Sequence, residues 1–185
     1  IIIILGVLIL LGSLAYSADN ESYNNNPPSS ATNSDWQTFT SVVGSFKVLL
    51  PTLPKHQTRN EQVEGLDNPL KMEIYTSTVG NSLAYLAAYT EYPPEVDTSN
   101  PDNNLEGAAN GMVASSAGNE LISAKLTYFG SNRAIDILIK NSSEGIYIKG
   151  RGVLVGHKLY MLYAVYELGS YNDTDYNKFV NSLQL

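Results

Sequence analysis

The chain contains no cysteine among its 185 residues. That absence removes disulfide staples, thiolate metal sites, cysteine nucleophiles and a lipidated-cysteine anchor. It leaves an oxidising compartment open, because a domain of this size stands without bridges. Histidine is nearly absent too, with only His56 and His157. Neither has a metal-ligand neighbour at useful spacing, so both are expected to be solvated surface side chains, and no metal or other cofactor is expected. Basic residues number 11 against 18 acidic ones, a net charge of -7, which argues against broad contact with nucleic acid or an anionic membrane surface. The G-x-S-x-G elbow of a hydrolase, a Walker loop and a G-x-G-x-x-G after a strand are all missing. Gly150-Arg151-Gly152 lies inside an expected strand and is not a phosphate loop. An enzyme is therefore not expected. Tyrosine, by contrast, is plentiful: 13 residues against 4 Phe and 1 Trp. Tyrosine suits half-buried sheet faces, so the imbalance fits a β-rich protein.

Residues 1–11 are aliphatic except for Gly6, and the apolar character persists to Tyr16. With no initiator Met and no basic leader, the chain is expected to be truncated at its start. A run of this length matches the apolar part of a signal peptide and is shorter than a membrane span. Residues 1–17 are thus read as a signal peptide, with cleavage before Ala18, or as a truncated membrane anchor. Residues 18–34 are rich in Asn, Ser and Pro and carry Tyr23 as their only large apolar side chain, the composition of a flexible linker. Residues 35–185 remain as a single α+β domain.

Within that domain, Trp36 and Phe39 are spaced like one short amphipathic turn. Phe46, Val48 and Leu50 alternate around Lys47 in a strand that Pro51 ends. The polar stretch 52–68 reads as a long loop. Two strands over 70–79 and 82–92 flank Gly80-Asn81, which suits a type II′ hairpin turn pairing Met72 with Tyr89 and Ile74 with Ala87. Ser99-Asn100-Pro101 starts a helix whose apolar stripe runs through Leu105, Ala108, Ala109, Met112 and Val113, with Gly118 as its C-cap. Four strands follow over 120–129, 133–140 and the terminal pair 145–155 and 158–166. In that last pair a two-residue loop, Gly156-His157, sets Leu154 opposite Leu159, Gly152 opposite Met161 and Gly150 opposite Tyr163. Asp173 caps a final helix with Tyr176, Phe179, Val180 and Leu183 on one stripe. Hairpins dominate, so the expected fold is α+β: a mostly antiparallel sheet of about six to seven strands with helices packed on it.

The register of the last hairpin puts Tyr147, Lys149 and Arg151 on one face with Tyr160 and Tyr166. Two cations beside three phenols form a candidate site for an anionic or aromatic ligand. The structural alternative, which is preferred, pairs Lys149 and Arg151 with Asp136 or Glu residues and packs the tyrosines under a helix.

Several segments resemble the PsbP-like superfamily, which includes the Mog nuclear-transport factors, and more narrowly the exported bacterial proteins of unknown function with that fold. They are the opening strand over 44–51 (Gly-Ser-Phe-Lys-Val-Leu-Leu-Pro), the central hairpin ending in Tyr92-Pro93, the Asn132-Arg133 turn, and the stretch from Arg151 to Tyr160 running into Phe179, Ser182 and Leu183. Leu183 and Ala134 depart from the pattern, where an aromatic and a charged residue are usual. The resemblance implies an α+β fold and a non-catalytic binding or assembly role. The resulting reading is an exported module, periplasmic, extracellular or membrane-anchored facing outward, that acts through contacts with another envelope protein. It would meet the membrane only through residues 1–17, if these are uncleaved. The alternative is a small-molecule carrier with a pocket between sheet and helix.

Overall fold

The computed structural model describes residues 36–185, apart from Glu64; the expected export segment and linker fall outside the described residues. Nine strands and two helices are built in the order β1 (Gln37–Ser41), β2 (Phe46–Leu50), β3 (Lys55–Glu61), β4 (Leu70–Val79), β5 (Leu83–Glu91), α1 (Pro101–Ala114), β6 (Asn119–Phe129), β7 (Asn132–Asn141), β8 (Ile146–Val155), β9 (Lys158–Glu167) and α2 (Asp173–Asn181). Seven strands form one antiparallel sheet in the order β3-β4-β5-β9-β8-β7-β6, and β1 and β2 form a separate two-stranded ribbon. The fold is α+β, as the succession of hairpins implies.

The sheet is covered on both faces. Leu105, Ala108, Ala109 and Met112 of α1 pack with Ile135, Ile137, Ile148, Met161 and Tyr163 in one core. Phe179 and Val180 of α2, with Phe46 and Val48 of β2, pack against Tyr85, Tyr160, Leu162 and Ala164 in the other. A bidentate contact from Arg133 to Asp102 (2.6 and 2.8 Å) ties the first turn of α1 to β7. The chain end closes the second layer: Lys47 and Gln184 exchange backbone hydrogen bonds of 2.9 Å, and the Ser182 hydroxyl accepts from Leu49 N–H at 2.8 Å.

The β8–β9 hairpin has the expected register throughout, Leu154↔Leu159 to Ile148↔Val165. Its turn residue Gly156 has φ +58°, a region that glycine enters cheaply. Five expectations are corrected. Residues 37–41 are a strand, since Phe39 pairs with Val48 across the ribbon and packs on Tyr75. The supposed loop contains β3, an edge strand so polar that it carries no apolar alternation. The β4–β5 turn holds three residues, Gly80 to Ser82, so Met72 meets Thr90 and Ile74 meets Ala88, one step from the expected pairs. Ser115, not Gly118, closes α1. Asn172, not Asp173, caps α2, its side chain accepting from Asp175 N–H.

Candidate functional site

The five candidate residues do lie on one sheet face, the face toward α2. Tyr147 is paired with Tyr166, Lys149 with Ala164, Arg151 with Leu162 and Val153 with Tyr160. Their environments differ along the strands. Arg151 sits beside Asp136 on β7 and donates Nε and Nη2 to its two carboxylate oxygens at 2.7 and 3.0 Å. Its Nη1 also reaches Asn181 of α2 at 3.2 Å. The hydrogen bonds to Asp136 push the guanidinium pKa further up. This is the paired arrangement that the structural alternative requires.

Lys149 donates to the Tyr171 hydroxyl at 2.6 Å and to Asp173 at 2.8 Å, and its ammonium lies 4.9 and 4.8 Å from the ring centroids of Tyr171 and Tyr176. The Asp173 carboxyl pKa is lowered, chiefly by the hydrogen bond from Lys149 and then by that from Tyr171. Burial first, and then donation to Asp173, raise the Tyr171 phenol. Three rings stack in series: Tyr147 on Tyr166 at 5.7 Å and Tyr166 on Tyr171 at 4.3 Å. Tyr160 and Tyr166 are buried, and the Tyr160 hydroxyl donates to the Gly44 carbonyl at 3.2 Å. Tyr147 and Lys149 remain half-exposed. The face therefore splits into a core part, Tyr160 and Tyr166, an ion-paired rim at Arg151, and an accessible part at Tyr147 and Lys149. Tyr171, Asp173 and Tyr176 complete it from the last loop and helix. The stripe through Tyr176 and Phe179 hinted at those contacts, but nothing in the spacing aimed Asp173 at Lys149.

A second polar cluster joins β3 to β4. Glu73 is 2 % exposed, and its carboxylate receives Thr58 Oγ1 at 2.7 Å, Lys71 Nζ at 2.7 Å and His56 Nε2 at 2.6 Å. The His56 ring also stacks on Tyr75 at 4.7 Å, so His56 is a partnered edge-strand residue and not a solitary surface histidine. Burial raises the Glu73 pKa, but the hydrogen bonds from Lys71, Thr58 and His56 outweigh it and hold it at about 2. A carboxyl lowered on folding contributes stability above its unfolded value of 4.5, and loses it as pH falls toward 2. His56 and Lys71 face solvent on their outer sides, so the expected contribution is about 1–2 kcal/mol. Urea unfolding at pH 6 and pH 2.5 should show Glu73→Gln less stable than the parent at pH 6. The gap should narrow at the lower pH; a gap independent of pH would refute this role.

Three depressions among the described residues measure about 430, 240 and 520 Å³. They lie at the β1–β2 tip with the chain end, along β1, and over residues 94–99 with His157; the five candidate residues line none of them. No group of three or more His, Cys, Asp or Glu side chains suited to a metal ion occurs among the described residues.

No protein-family model matches the chain, and no curated protein sequence does. Among solved structures, the cyanobacterial PsbP (CyanoP) of Synechocystis sp. PCC 6803 superposes with a TM-score of 0.56 at 10% identity, covering 87% of this chain and 98% of that one. A protein of unknown function from Pseudomonas aeruginosa, described as a putative regulator, matches with a TM-score of 0.41 at 9% identity, covering 69% of this chain and 90% of its own. The fold is PsbP-like, on the first of these.

Proposed function

We propose that this protein is an exported, non-enzymatic binding or assembly module that works through protein contacts at or beyond the cell membrane. The observation that carries the reading is the state of the basic-aromatic face. Arg151 is matched by Asp136, Tyr160 and Tyr166 are core, and what remains half-exposed is the Tyr147–Lys149 strip, its ammonium anchored by Asp173, beside the stacked ring of Tyr171. An aromatic strip with one cation that lines none of the three depressions suits a protein surface better than an enclosed small molecule. The space between sheet and α1, where a carrier pocket would lie, is filled by Leu105, Ala108 and Met112. Export rests on residues 1–17 and the linker composition.

The strip and the ion pair make opposite predictions for partner recovery. Arg151→Ala should cost about 1–2 kcal/mol in denaturant unfolding, because Asp136 loses both donors while keeping partial access to water. Tyr147→Ala combined with Lys149→Ala should cost about as much, since Tyr166 loses a stacked ring and Asp173 and Tyr171 lose a donor, but should also abolish recovery of a discrete partner cross-linked in the envelope fraction, which Arg151→Ala leaves intact. Full recovery by the Tyr147/Lys149 variant would remove the strip from the contact. Cytosolic fractionation of the full gene product with residues 1–11 intact would remove export.

A further inference from the structure

The sheet has two open edges, β3 and β6, and they are built differently. β3 reads Lys-His-Gln-Thr-Arg-Asn-Glu, a charged edge of the kind that repels strand addition. β6 has eleven residues, of which Leu121, Ile122 and Tyr128 are exposed large hydrophobics, with Glu120 and Lys125 as its only charges. Its register with β7 breaks once: Leu121 faces Ile139 and Ser123 faces Leu138, which leaves Ile122 as an extra residue.

That bulge decides what can pair with the free side. Ile135, Ile137 and Ile139 belong to the core under α1, so their partners Leu126, Ala124 and Leu121 point to the α1 face. Glu120, Ser123 and Lys125 point to the opposite face, opposite Lys140, Leu138 and Asp136. Residues five apart on a regular strand point to opposite faces. The extra residue cancels this, so Glu120 and Lys125 share a face. Among the described residues neither forms an ion pair within the chain.

We infer that β6 pairs antiparallel with β6 of a second copy, around a two-fold axis at the bulge. One register puts Glu120 opposite the partner's Lys125, Leu121 opposite the partner's Ala124, and Asn119 opposite the partner's Leu126. Every one of these pairs joins residues on the same face, because each spans the bulge. The symmetry repeats the Glu120–Lys125 contact twice, and the apolar pairs line up on the α1 side. A strand of ordinary pleat could not bring residues five apart opposite one another on one face in this way. The contact is distinct from the Tyr147–Lys149 strip, which lies on β8. Strand-edge contacts are small interfaces, so the expected association is weak.

The cysteine-free chain makes the test clean. The full chain carrying Ser123→Cys should form a disulfide dimer on mild oxidation, since the axis sets the two copies of this exposed side chain within one residue of each other. The full chain with Gln57→Cys, on the β3 edge, should form no disulfide dimer, because β6 pairing keeps the two β3 edges apart. Adding Lys125→Glu to Ser123→Cys should weaken dimerisation about tenfold by analytical ultracentrifugation, and adding Glu120→Lys as well should restore it, with each melt checked by circular dichroism. Equal cross-linking at positions 57 and 123, as association through residues 1–35 would give, overturns the proposal. So does a Ser123→Cys chain that stays monomeric, as when its own N-terminal residues or a different protein occupy the edge, or a dimer indifferent to the charge swap.

Discussion

Phe179→Ala is expected to lower unfolding stability by about 3–5 kcal/mol, the range for a large aromatic removed from a core that cannot collapse. Phe179 is fully buried and meets Tyr85 edge-on at 5.2 Å. The effect should spread beyond the vacated volume. α2 is held to the sheet by Tyr176, Phe179 and Val180, and residues 182 and 184, just beyond it, hold β2 through Leu49 and Lys47. Loosening α2 therefore releases the β1–β2 ribbon as well. For a domain of this size such a loss should bring the melting temperature down by roughly 10 °C or more. A melt within about 3 °C of the parent would show that α2 is dispensable to the core.

Gly150→Val should cost about 3 kcal/mol or more. A Cβ on Gly150 would stand 2.8 Å from Tyr163 Cβ and 3.1 Å from the Leu162 carbonyl oxygen. Both obstacles sit on or next to the backbone of β9, in the middle of the sheet, where neither a rotamer change nor a strand shift relieves the clash. Gly152 is the informative contrast. Its nearest obstacle is Met161 Sδ at 2.8 Å, the end of a flexible thioether that can swing aside. Gly152→Ala should thus be clearly milder than Gly150→Ala in paired denaturant titrations. Equal costs would mean that β9 yields, and that the hairpin is not the rigid centre described above.

How much of this was legible depended on the side chains. The β8–β9 register could be read because an even, tight turn fixes the pairing and the two glycines demand bulky partners. The β4–β5 register could not. β5 is buried on both faces, Tyr85 and Tyr89 toward α2 and Leu86 and Ala88 toward α1, so no polar alternation says which face is which. One more turn residue then shifts every pair. β3 escaped notice because an edge strand facing solvent needs no apolar residues. With β3 hidden, His56 looked solitary, and its contact with Glu73, 17 positions away, had no sequence signal. On the basic-aromatic face, the alternation along β8 and β9 found all five residues. Their division into core, ion pair and accessible strip depends on where α2 lands, and helix placement is set by packing.

The strand order has a temporal meaning. β3, β4 and β5 make one half of the sheet and β6, β7 and β8 the other, and β9 alone joins them. Among the described residues β9 is also the last of these strands in chain order, and its pairing with β5 joins Leu83 to Tyr166. Without β9, β5 and β8 would each lack the neighbour on one side. The sheet closes when β9 pairs on both of its sides. Such long-range closure is slow compared with local hairpin formation. Each outer meander is built from strands adjacent in sequence, and their union waits on that one strand.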